Sequence, residues 1–236
     1  MTATDLPRDR DVWRIAAPMI LSNISVPLLG MVDTGVMGHL DSPAYLGAVA
    51  IGGAIFSFLY TGMNFLRMGT TGIAAQRFGA DDYDGLRVSL GQALIVSQAI
   101  ALALLLLQAP IRDVALWLLG GDAETRGHAA TYFAIRVWSA PGTLANYVMI
   151  GWFLGLSNAR VPLYIFLTIN TTNIVLDLVF VIGMGLEVAG VALASVIAEY
   201  AALALALGFA ATALIIAQAT LLAIVIAGVF MDGDSF

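Results

Sequence analysis

Long apolar stretches separated by short polar segments make up most of the chain. Six of these stretches approach the about 20 residues that a helix needs to cross the hydrocarbon core of a bilayer. They cover 15–38, 47–66, 89–108, 129–154, 163–183 and 190–210. The pattern predicts an all-α membrane protein, a bundle of six transmembrane helices. Its longest polar loops are predicted at 67–88 and 109–128.

The last apolar stretch differs from the others because it continues without a loop. Over 190–230 the only charged residue is Glu199. About 40 apolar residues are enough for two spans, yet no polar segment divides them. Two alternatives follow: a seventh helix over 211–231 after a tight turn, or one long helix that overshoots. We therefore divide the chain into a six-helix lobe at 1–210 and a hydrophobic tail at 211–236, whose ending, MDGDSF, looks like a truncation.

The composition is typical of a membrane protein. Hydrophobic residues make up 60% of the chain, charged residues 11%, and the mean hydropathy is +0.92. A soluble domain is about half apolar and about a quarter charged. The chain has no cysteine and two histidines, which argues against a disulfide or a zinc site. It also shows no phosphate-binding loop and no nucleophile triad. We therefore predict no enzyme and no nucleic-acid partner, but a protein whose partner is the lipid bilayer.

Positive charge is distributed unevenly between the two predicted faces of the bundle. All ten basic residues are arginines. With a cytoplasmic N-terminus, two lie outside and one lies within the fourth span, while seven lie inside: Arg8, Arg10, Arg14, Arg67, Arg77, Arg87 and Arg160. Cytoplasmic segments carry such an excess. The sequence thus predicts a multi-pass protein of the cell (plasma or inner) membrane, with its N-terminus in the cytoplasm. The first apolar run is too long for a signal peptide and is expected to remain as a span.

Ionisable side chains at membrane depth are the first candidates for function, and the predicted spans contain Asp33, Asp177, Glu199 and Arg136. Such residues are costly in lipid and by default indicate an ion or proton pathway. At about 1.5 Å of rise per residue, all four lie in the outer half of the bundle, together with Tyr132 and Ser195. Arg136 and Glu199 are also predicted to form an intramembrane ion pair across spans four and six, which is the structural alternative for these two.

A polar stripe follows one face of the fifth span. Asn170, Asn173 and Asp177 are spaced three and four residues apart, so they share a helix face that must point inward. Their carboxylate and amide oxygens, with the Ser195 hydroxyl of span six, are hard ligands that suit a proton or a small cation such as Na⁺. The alternative for either asparagine is a hydrogen bond that only joins two helices.

Two prolines, Pro18 and Pro27, lie inside the first span together with Asp33. Proline removes a backbone donor and bends a helix. The first interpretation is the ordinary tolerance of membrane helices for proline. The second is a bend through which span one changes shape.

Several short motifs occur in the order found in a known family. Span one reads AAPMILSNISVPLLGMVDTGVMGHL, and span two continues into GTTGIAAQRFGADD. Spans four and five are joined by GWFLGLSNARVPL, span five contains NIVLD, and span six opens with AGVALAS. Over about residues 10–205 the chain resembles the N-terminal lobe of a multidrug and toxic compound extrusion (MATE) transporter, in its DNA-damage-inducible-protein branch.

The resemblance implies a cation-coupled antiporter that exports bulky organic, often cationic, compounds. It implies coupling to H⁺ or Na⁺, with no organic cofactor. It further implies Pro18 as the bending proline, Tyr132 as a neighbour of the site, and a proton or Na⁺ site made of Asp33, Asn173, Asp177 and Ser195. Family members have two similar lobes with the substrate between them, so a second lobe is an expected partner.

Two other functions stay open at this point. A flippase for lipid-linked sugars has a similar architecture, but it would line its cavity with several cations, and this interior offers only Arg136. A membrane protein that does not transport, left by truncation, is the other alternative.

Overall fold

The protein is described by a computed structural model. It covers the backbone at 42–232 and, before that, residues 13, 17, 20, 35, 36 and 38, with side chains described as far as residue 215. Asp33, Pro18 and Pro27 lie outside the described residues. The predictions made for these three therefore remain predictions.

The described part of the chain is helical almost throughout and contains no β-strand. In chain order its elements are α1 (Pro43–Gly62), α2 (Phe65–Gly79), α3 (Tyr83–Leu106), α4 (Gln108–Leu119), α5 (Ala123–Arg136), a 3₁₀ turn (Val137–Ser139), α6 (Ala140–Gly155), α7 (Arg160–Asp177), a π-helical segment (Leu178–Gly183) and α8 (Glu187–Asp232). The all-α prediction is confirmed.

The helices have the length and surface of membrane spans. Within the described residues, four stretches are long and apolar enough to cross a bilayer: Pro43–Gly79, Tyr83–Leu106, Arg160–Gly183 and Glu187–Ile215. Large apolar side chains cover their outer faces, with Phe58, Met68 and Ile95 exposed by 83%, 72% and 71%. Such faces are stable in lipid but not in water. The predicted fourth span is formed by α5, the 3₁₀ turn and α6 in series.

Both segments that the sequence predicted as long polar loops are mostly helical, so that prediction was wrong. Helix α2 occupies most of 67–88, and only residues 80–82 separate it from α3. Arg77 does not end the helix, because a cation is favourable in the last turn of a helix, and it pairs with Asp82 at 2.6 Å. The segment 109–128 contains α4 and the start of α5, which are separated by a turn at Gly120 with a φ of +72°.

Side-chain caps fix where three of the helices begin. Ser42 Oγ accepts a hydrogen bond from the Ala44 backbone N–H at 3.2 Å, just before α1. Asp82 and Asp122 do the same before α3 and α5, where their carboxylates accept from N–H groups at 2.9 and 2.7 Å. A helix leaves its first N–H groups without partners, and side-chain oxygens at the N-cap satisfy them. The caps therefore define the ends of the spans.

Helix α6 is the centre of the bundle. Thirteen of its 16 residues are buried, and it contacts α2, α3, α7 and α8. Trp152 on α6 is fully buried and donates to the Leu86 carbonyl of α3 at 3.3 Å. The other principal helix pairs are α7 with α8 and α1 with α5.

Two glycines allow α6 to lie directly on α2. A Cβ atom at Gly155 would be 2.6 Å from the Ala74 Cβ and 2.8 Å from the Thr71 carbonyl oxygen. A Cβ at Gly151, one turn earlier, would collide with the Arg67 carbonyl. Small residues four positions apart let membrane helices approach closely, so this spacing fixes the α2–α6 contact.

Helix α8 settles one of the alternatives left by the sequence. It runs without interruption from Glu187 to Asp232, over 46 residues. This is one long helix and not two helices joined by a tight turn. No break in the backbone marks residue 210, so the division into a lobe and a tail at that point remains a prediction.

Candidate cation site

The polar stripe of α7 faces the interior of the bundle, as predicted. Asn170, Asn173 and Asp177 are 7%, 2% and 0% exposed, whereas Val175 is 51% exposed. Thr171 is exposed as well. Buried polar groups cost free energy unless they find partners, so the surroundings of this stripe determine what it can do.

Asn173 joins α7 to α8 through its side-chain amide. Its Nδ2 donates to Asp177 Oδ2 at 3.2 Å, and its carbonyl oxygen accepts from Ser195 Oγ at 3.1 Å. The Ser195 backbone N–H lies 3.1 Å from the same oxygen. This amide orientation is the stable one while Asp177 is ionised, because the reverse turns a carbonyl oxygen toward a carboxylate. The structure thus brings together three residues that the sequence grouped into one site.

The same three groups can be satisfied in a second way when Asp177 carries a proton. The carboxylic acid then donates to the Asn173 carbonyl oxygen, since a protonated carboxyl group gains a donor. The Asn173 Nδ2 is then free to donate to Ser195 Oγ, which lies 3.1 Å away in that orientation. Protonation of Asp177 would therefore favour the reversed hydrogen bond to Ser195, on a different helix.

A π-helical segment begins immediately after Asp177. It spans Leu178–Gly183, and the chain then turns into α8 through N–H groups of Met184 and Leu186 that donate to carbonyls of the segment at 2.9 Å. π-Helical turns are rare and occur frequently at functional sites. The carboxylate thus lies at the point where regular α-helix ends, directly before the connection to the helix that carries Ser195.

Tyr132 lies in the interface between α1 and α5. It is 5% exposed, and its ring packs so closely on Gly52 that a Cβ there would overlap it. The Phe56 ring lies edge-on to it, with centroids 6.3 Å apart. The structure fixes the position of Tyr132, and its membership of the cation site remains a prediction. Asp33, the other carboxylate of the predicted site, lies outside the described residues.

Arg136 and Glu199 do not form the direct ion pair that the sequence predicted. Within the described residues, side chains joined by ion pairs within 4.0 Å are Arg77–Asp82, Arg87–Asp84 and Arg112–Asp113. Arg136 Nη1 instead donates to Ser139 Oγ at 2.8 Å, and its guanidinium lies 5.8 Å from the centre of the Phe56 ring. The physical reason is that a nearby hydroxyl, an aromatic face and the Tyr132 side chain offer the guanidinium closer partners than the Glu199 carboxylate, which is itself bonded to Asn146.

Glu199 has a partner that sequence reasoning missed. Asn146 Nδ2, on α6, donates both to Glu199 Oε2 at 2.9 Å and to the Glu199 backbone carbonyl at 3.0 Å. Tyr60 and Ser139 are also hydrogen-bonded nearby, with 3.1 Å between their oxygens. The one carboxamide side chain of α6, Asn146, was the signal that could have indicated this contact.

The donor set restricts the ligands that the site can hold. The described residues contain no cluster of three or more His, Cys, Asp or Glu side chains that could bind a metal ion. Around Asp177 the available ligands are carboxylate, amide and hydroxyl oxygens. Oxygen ligands suit H⁺ or hard cations, whereas transition metals prefer nitrogen or sulfur.

Comparison with known proteins agrees with the fold. The family model MatE matches residues 18–179. DNA damage-inducible protein F of Escherichia coli (strain K12) is 48% identical over 199 residues, which cover 84% of this chain and 43% of that protein. Protein DETOXIFICATION 44, chloroplastic, of Arabidopsis thaliana is 28% identical over 204 residues, covering 80% of this chain and 39% of that protein. The chain thus spans less than half the length of these relatives.

A solved structure supports the same assignment at the level of fold. An outward-facing conformation of a multidrug resistance MATE family transporter of the MOP superfamily matches with a TM-score of 0.77 and 23% identity. The match covers 83% of this chain and 43% of that one. From the helical bundle, the motif order and these matches, the chain belongs to the MatE family, a family of membrane transporters and not of enzymes, and it has the fold of the N-terminal lobe.

Proposed function

We propose that this chain is the N-terminal lobe of a cation-coupled antiporter that exports bulky organic, often cationic, compounds. The observation that carries the proposal is the hydrogen-bonded group formed by Asp177, Asn173 and Ser195 inside the bundle. Family membership supports transport, and one structural neighbour is described as a multidrug resistance transporter. In this proposal the substrate lies between this lobe and a second lobe.

The coupling ion, H⁺ or Na⁺, binds between Asp33 and Asp177. Two carboxylates in a low-dielectric layer repel each other, and a shared proton or a Na⁺ ion relieves that repulsion. The protons of such a pair leave in coupled steps that belong to the pair and not to either residue. Asn173 and Ser195 complete the ligand set, with Tyr132 beside it.

Ion binding changes the shape of the bundle through the link between α7 and α8. Protonation of Asp177 reverses the Asn173 amide and hence the hydrogen bond to Ser195. The first span, bent at Pro18 or Pro27, adjusts to the occupied site. A bound ion shifts such an equilibrium only by the difference in its affinity for the two shapes, so the site must be tighter in one of them.

The orientation in this proposal places the N-terminus in the cytoplasm. The Asp82 turn, with Arg77 beside it, then faces the cytoplasm, where basic residues are favoured. Ser42 and Glu124, whose side-chain oxygens lie 3.4 Å apart, are at the other end of α1 and face outward. The site near Asp177 and Ser195 is closer to this outer end.

Ion-driven efflux tests the proposed function. This lobe would be joined to a second lobe in one protein, reconstituted in vesicles, and assayed for export of a fluorescent organic cation driven by a pH or Na⁺ gradient. Asp177→Asn should abolish ion-driven efflux. Asp84→Asn is the matched control, because the Asp84 side chain is 97% exposed, and it should leave efflux unchanged. Normal efflux by Asp177→Asn would contradict the proposal.

A hydroxyl replacement separates the ligand role of Ser195 from its packing. Ser195→Thr keeps the hydroxyl and should retain the ion dependence. Ser195→Ala removes it and should weaken apparent ion affinity about tenfold, because a hydrogen bond to a site of this kind contributes roughly 1–1.5 kcal/mol. Equal ion affinity in both variants would exclude Ser195 from the site.

A further inference from the structure

A second buried polar cluster lies one helical turn along α8 from Ser195. Glu199 is 7% exposed, and its Oε2 accepts from Asn146 Nδ2 at 2.9 Å. Asn146 is 1% exposed and Thr143, three residues earlier on the same helix, is 4% exposed. Helix α6 approaches α8 closely here, since a Cβ at Gly142 would be 3.4 Å from the Glu199 Cβ. Glu199 is therefore closely packed against α6 on this side.

One polar atom of the cluster lacks a hydrogen-bond partner. Within the described part of the chain, Asn146 Oδ1 is fully buried and has no partner, whereas the Thr143 hydroxyl is within hydrogen-bonding range of Glu199 and Tyr60. A side-chain amide oxygen is an acceptor. Buried polar groups are rarely left in this condition, so the cluster is short of a donor. An ionised Glu199 cannot supply one, because a carboxylate only accepts.

The other groups around Glu199 do not supply that donor. Arg136, from α5, donates to Ser139 Oγ at 2.8 Å. Tyr60, from α1, shares a hydrogen bond of 3.1 Å with Ser139. Arg136 lies near enough for its charge to act on Glu199, and Tyr60 also lies close to Glu199. The Thr143 hydroxyl lies next to both Glu199 and Tyr60.

Other titratable groups lie on helices that pack against α8. Tyr147 of α6 is close enough to interact electrostatically with Glu199. Helix α7, which packs against α8, carries the buried Asp177. The π-helical segment is entirely apolar. Arg136 is therefore the one positive group facing Glu199 among the described residues, and it is held at a distance by its own partners.

We propose that Glu199 is a proton-binding carboxylate, with Asn146 and Thr143 as its ligands, and that it forms a second protonation site separate from Asp177. The carboxylate takes one proton from water, becomes a neutral carboxylic acid, and returns the proton when the pH rises. In the protonated state its O–H can donate to the unpartnered Asn146 Oδ1. This inference concerns Glu199 alone and stands whether or not the Asp33–Asp177 site drives transport.

Infrared difference spectroscopy of the complete chain in lipid nanodiscs tests this inference. The readout is the C=O stretch of protonated carboxyl groups, followed from about pH 4 to about pH 9. In the upper part of this range, solvated carboxyl groups are already ionised. We expect a titrating band that is lost in Glu199→Gln and retained in Asp177→Asn. The comparison of the two variants separates this site from the proposed coupling site.

A second variant keeps the test decisive if Glu199→Gln does not fold. Asn146→Ala removes the N–H that stabilises the ionised form, so the band should persist with its midpoint shifted upward by about one pH unit. Asp84→Asn, in an exposed turn, should leave the band unchanged. A spectrum of Glu199→Gln identical to that of the unchanged chain, or no midpoint shift in Asn146→Ala, would overturn the proposal.

Discussion

Asn173 on α7 and Ser195 on α8 are 22 positions apart in the chain and lie 3.1 Å apart at their side chains. The contact spans the π-helical segment and the turn that follow Asp177, so it depends on how those residues return the chain to the bundle. In the proposed site, the direction of this hydrogen bond would depend on whether Asp177 is protonated. A single amide would then connect the charge state of one helix with the packing of the next.

The two adjacent glycines of α1 give a sharp test of the position of Tyr132. Gly52→Ala should displace the Tyr132 ring, because the new Cβ would overlap it, whereas Gly53→Ala meets nothing within 4 Å. We expect Gly52→Ala to lower the free energy of unfolding by about 1–3 kcal/mol. Gly53→Ala should be neutral or slightly stabilising.

Ion affinity of the same two variants tests the role of Tyr132. If Tyr132 belongs to the cation site, Gly52→Ala should weaken binding of the coupling ion, and Gly53→Ala should not. Unchanged ion affinity in a folded Gly52→Ala protein would remove Tyr132 from the site.

The contact between α2 and α6 should depend on Gly155. Gly155→Ala places a methyl group 2.6 Å from the Ala74 Cβ, and overpacking of this kind costs about 1–3 kcal/mol. Gly91→Ala is the control, since this glycine of α3 has open space around it and alanine should stabilise a helix there by about 0.5–1 kcal/mol. In thermal unfolding in detergent, Gly155→Ala should have a lower midpoint temperature than the unchanged chain, and Gly91→Ala a higher one. A Gly155→Ala protein as stable as the Gly91→Ala protein would show that the helices do not approach so closely.

The start of α5 should respond to acid through Asp122. The Thr125 backbone N–H, which donates to this carboxylate, holds the pKa of Asp122 below its usual range. A depressed pKa means that the cap contributes stability above the unfolded value of about 3.9 and loses it as the pH falls through the folded value. Amide hydrogen exchange at Thr125 should therefore accelerate at low pH relative to Asp122→Asn, which caps without titrating. A constant ratio between the two proteins across that range would exclude this cap as the acid-sensitive group.

Cysteine labelling should show that Ser42 and Asp82 lie on opposite sides of the membrane. The chain contains no cysteine, so Ser42→Cys and Asp82→Cys each introduce a single thiol. The helical stretch Pro43–Gly79 lies between these positions. An impermeant thiol reagent should reach the first from outside and the second from the cytoplasm. Labelling of both from one side would end the proposed topology.

Much of the fold was predictable from the apolar stretches of the sequence. The errors occurred in segments whose polar composition suggested loops but whose backbone is helical. Helix α2 contains Arg67 and Arg77. Polar residues do not end it, because a helix can extend beyond the hydrocarbon core of the bilayer without becoming a loop. The segment 109–128 was predicted as a loop, yet α4 forms there with Leu116 buried and Trp117 exposed. A polar helix end and a polar loop have similar compositions, so the sequence could not distinguish them.

The candidate site was predicted in part for a related reason. The stripe of Asn170, Asn173 and Asp177 was readable because three polar residues shared one helical face. Asn146 was not part of a polar stripe like that of α7, and its bond to Glu199 depended on how α6 packs against α8. Charge complementarity suggested that Glu199 would pair with Arg136, but nearer neutral donors and acceptors satisfied both groups.

The proposal that Asp33 and Asp177 share one site is tested most directly by cross-linking in this cysteine-free chain. The double variants Asp33→Cys/Asp177→Cys and Asp33→Cys/Val175→Cys would be treated in membranes with a short bifunctional thiol reagent. Asp177 is fully buried and Val175, on the same helix, is 51% exposed. If the two carboxylates share one cation, the first pair should cross-link and the second should not. Cross-linking of the Val175 pair alone, or of neither pair, would contradict a common site for Asp33 and Asp177.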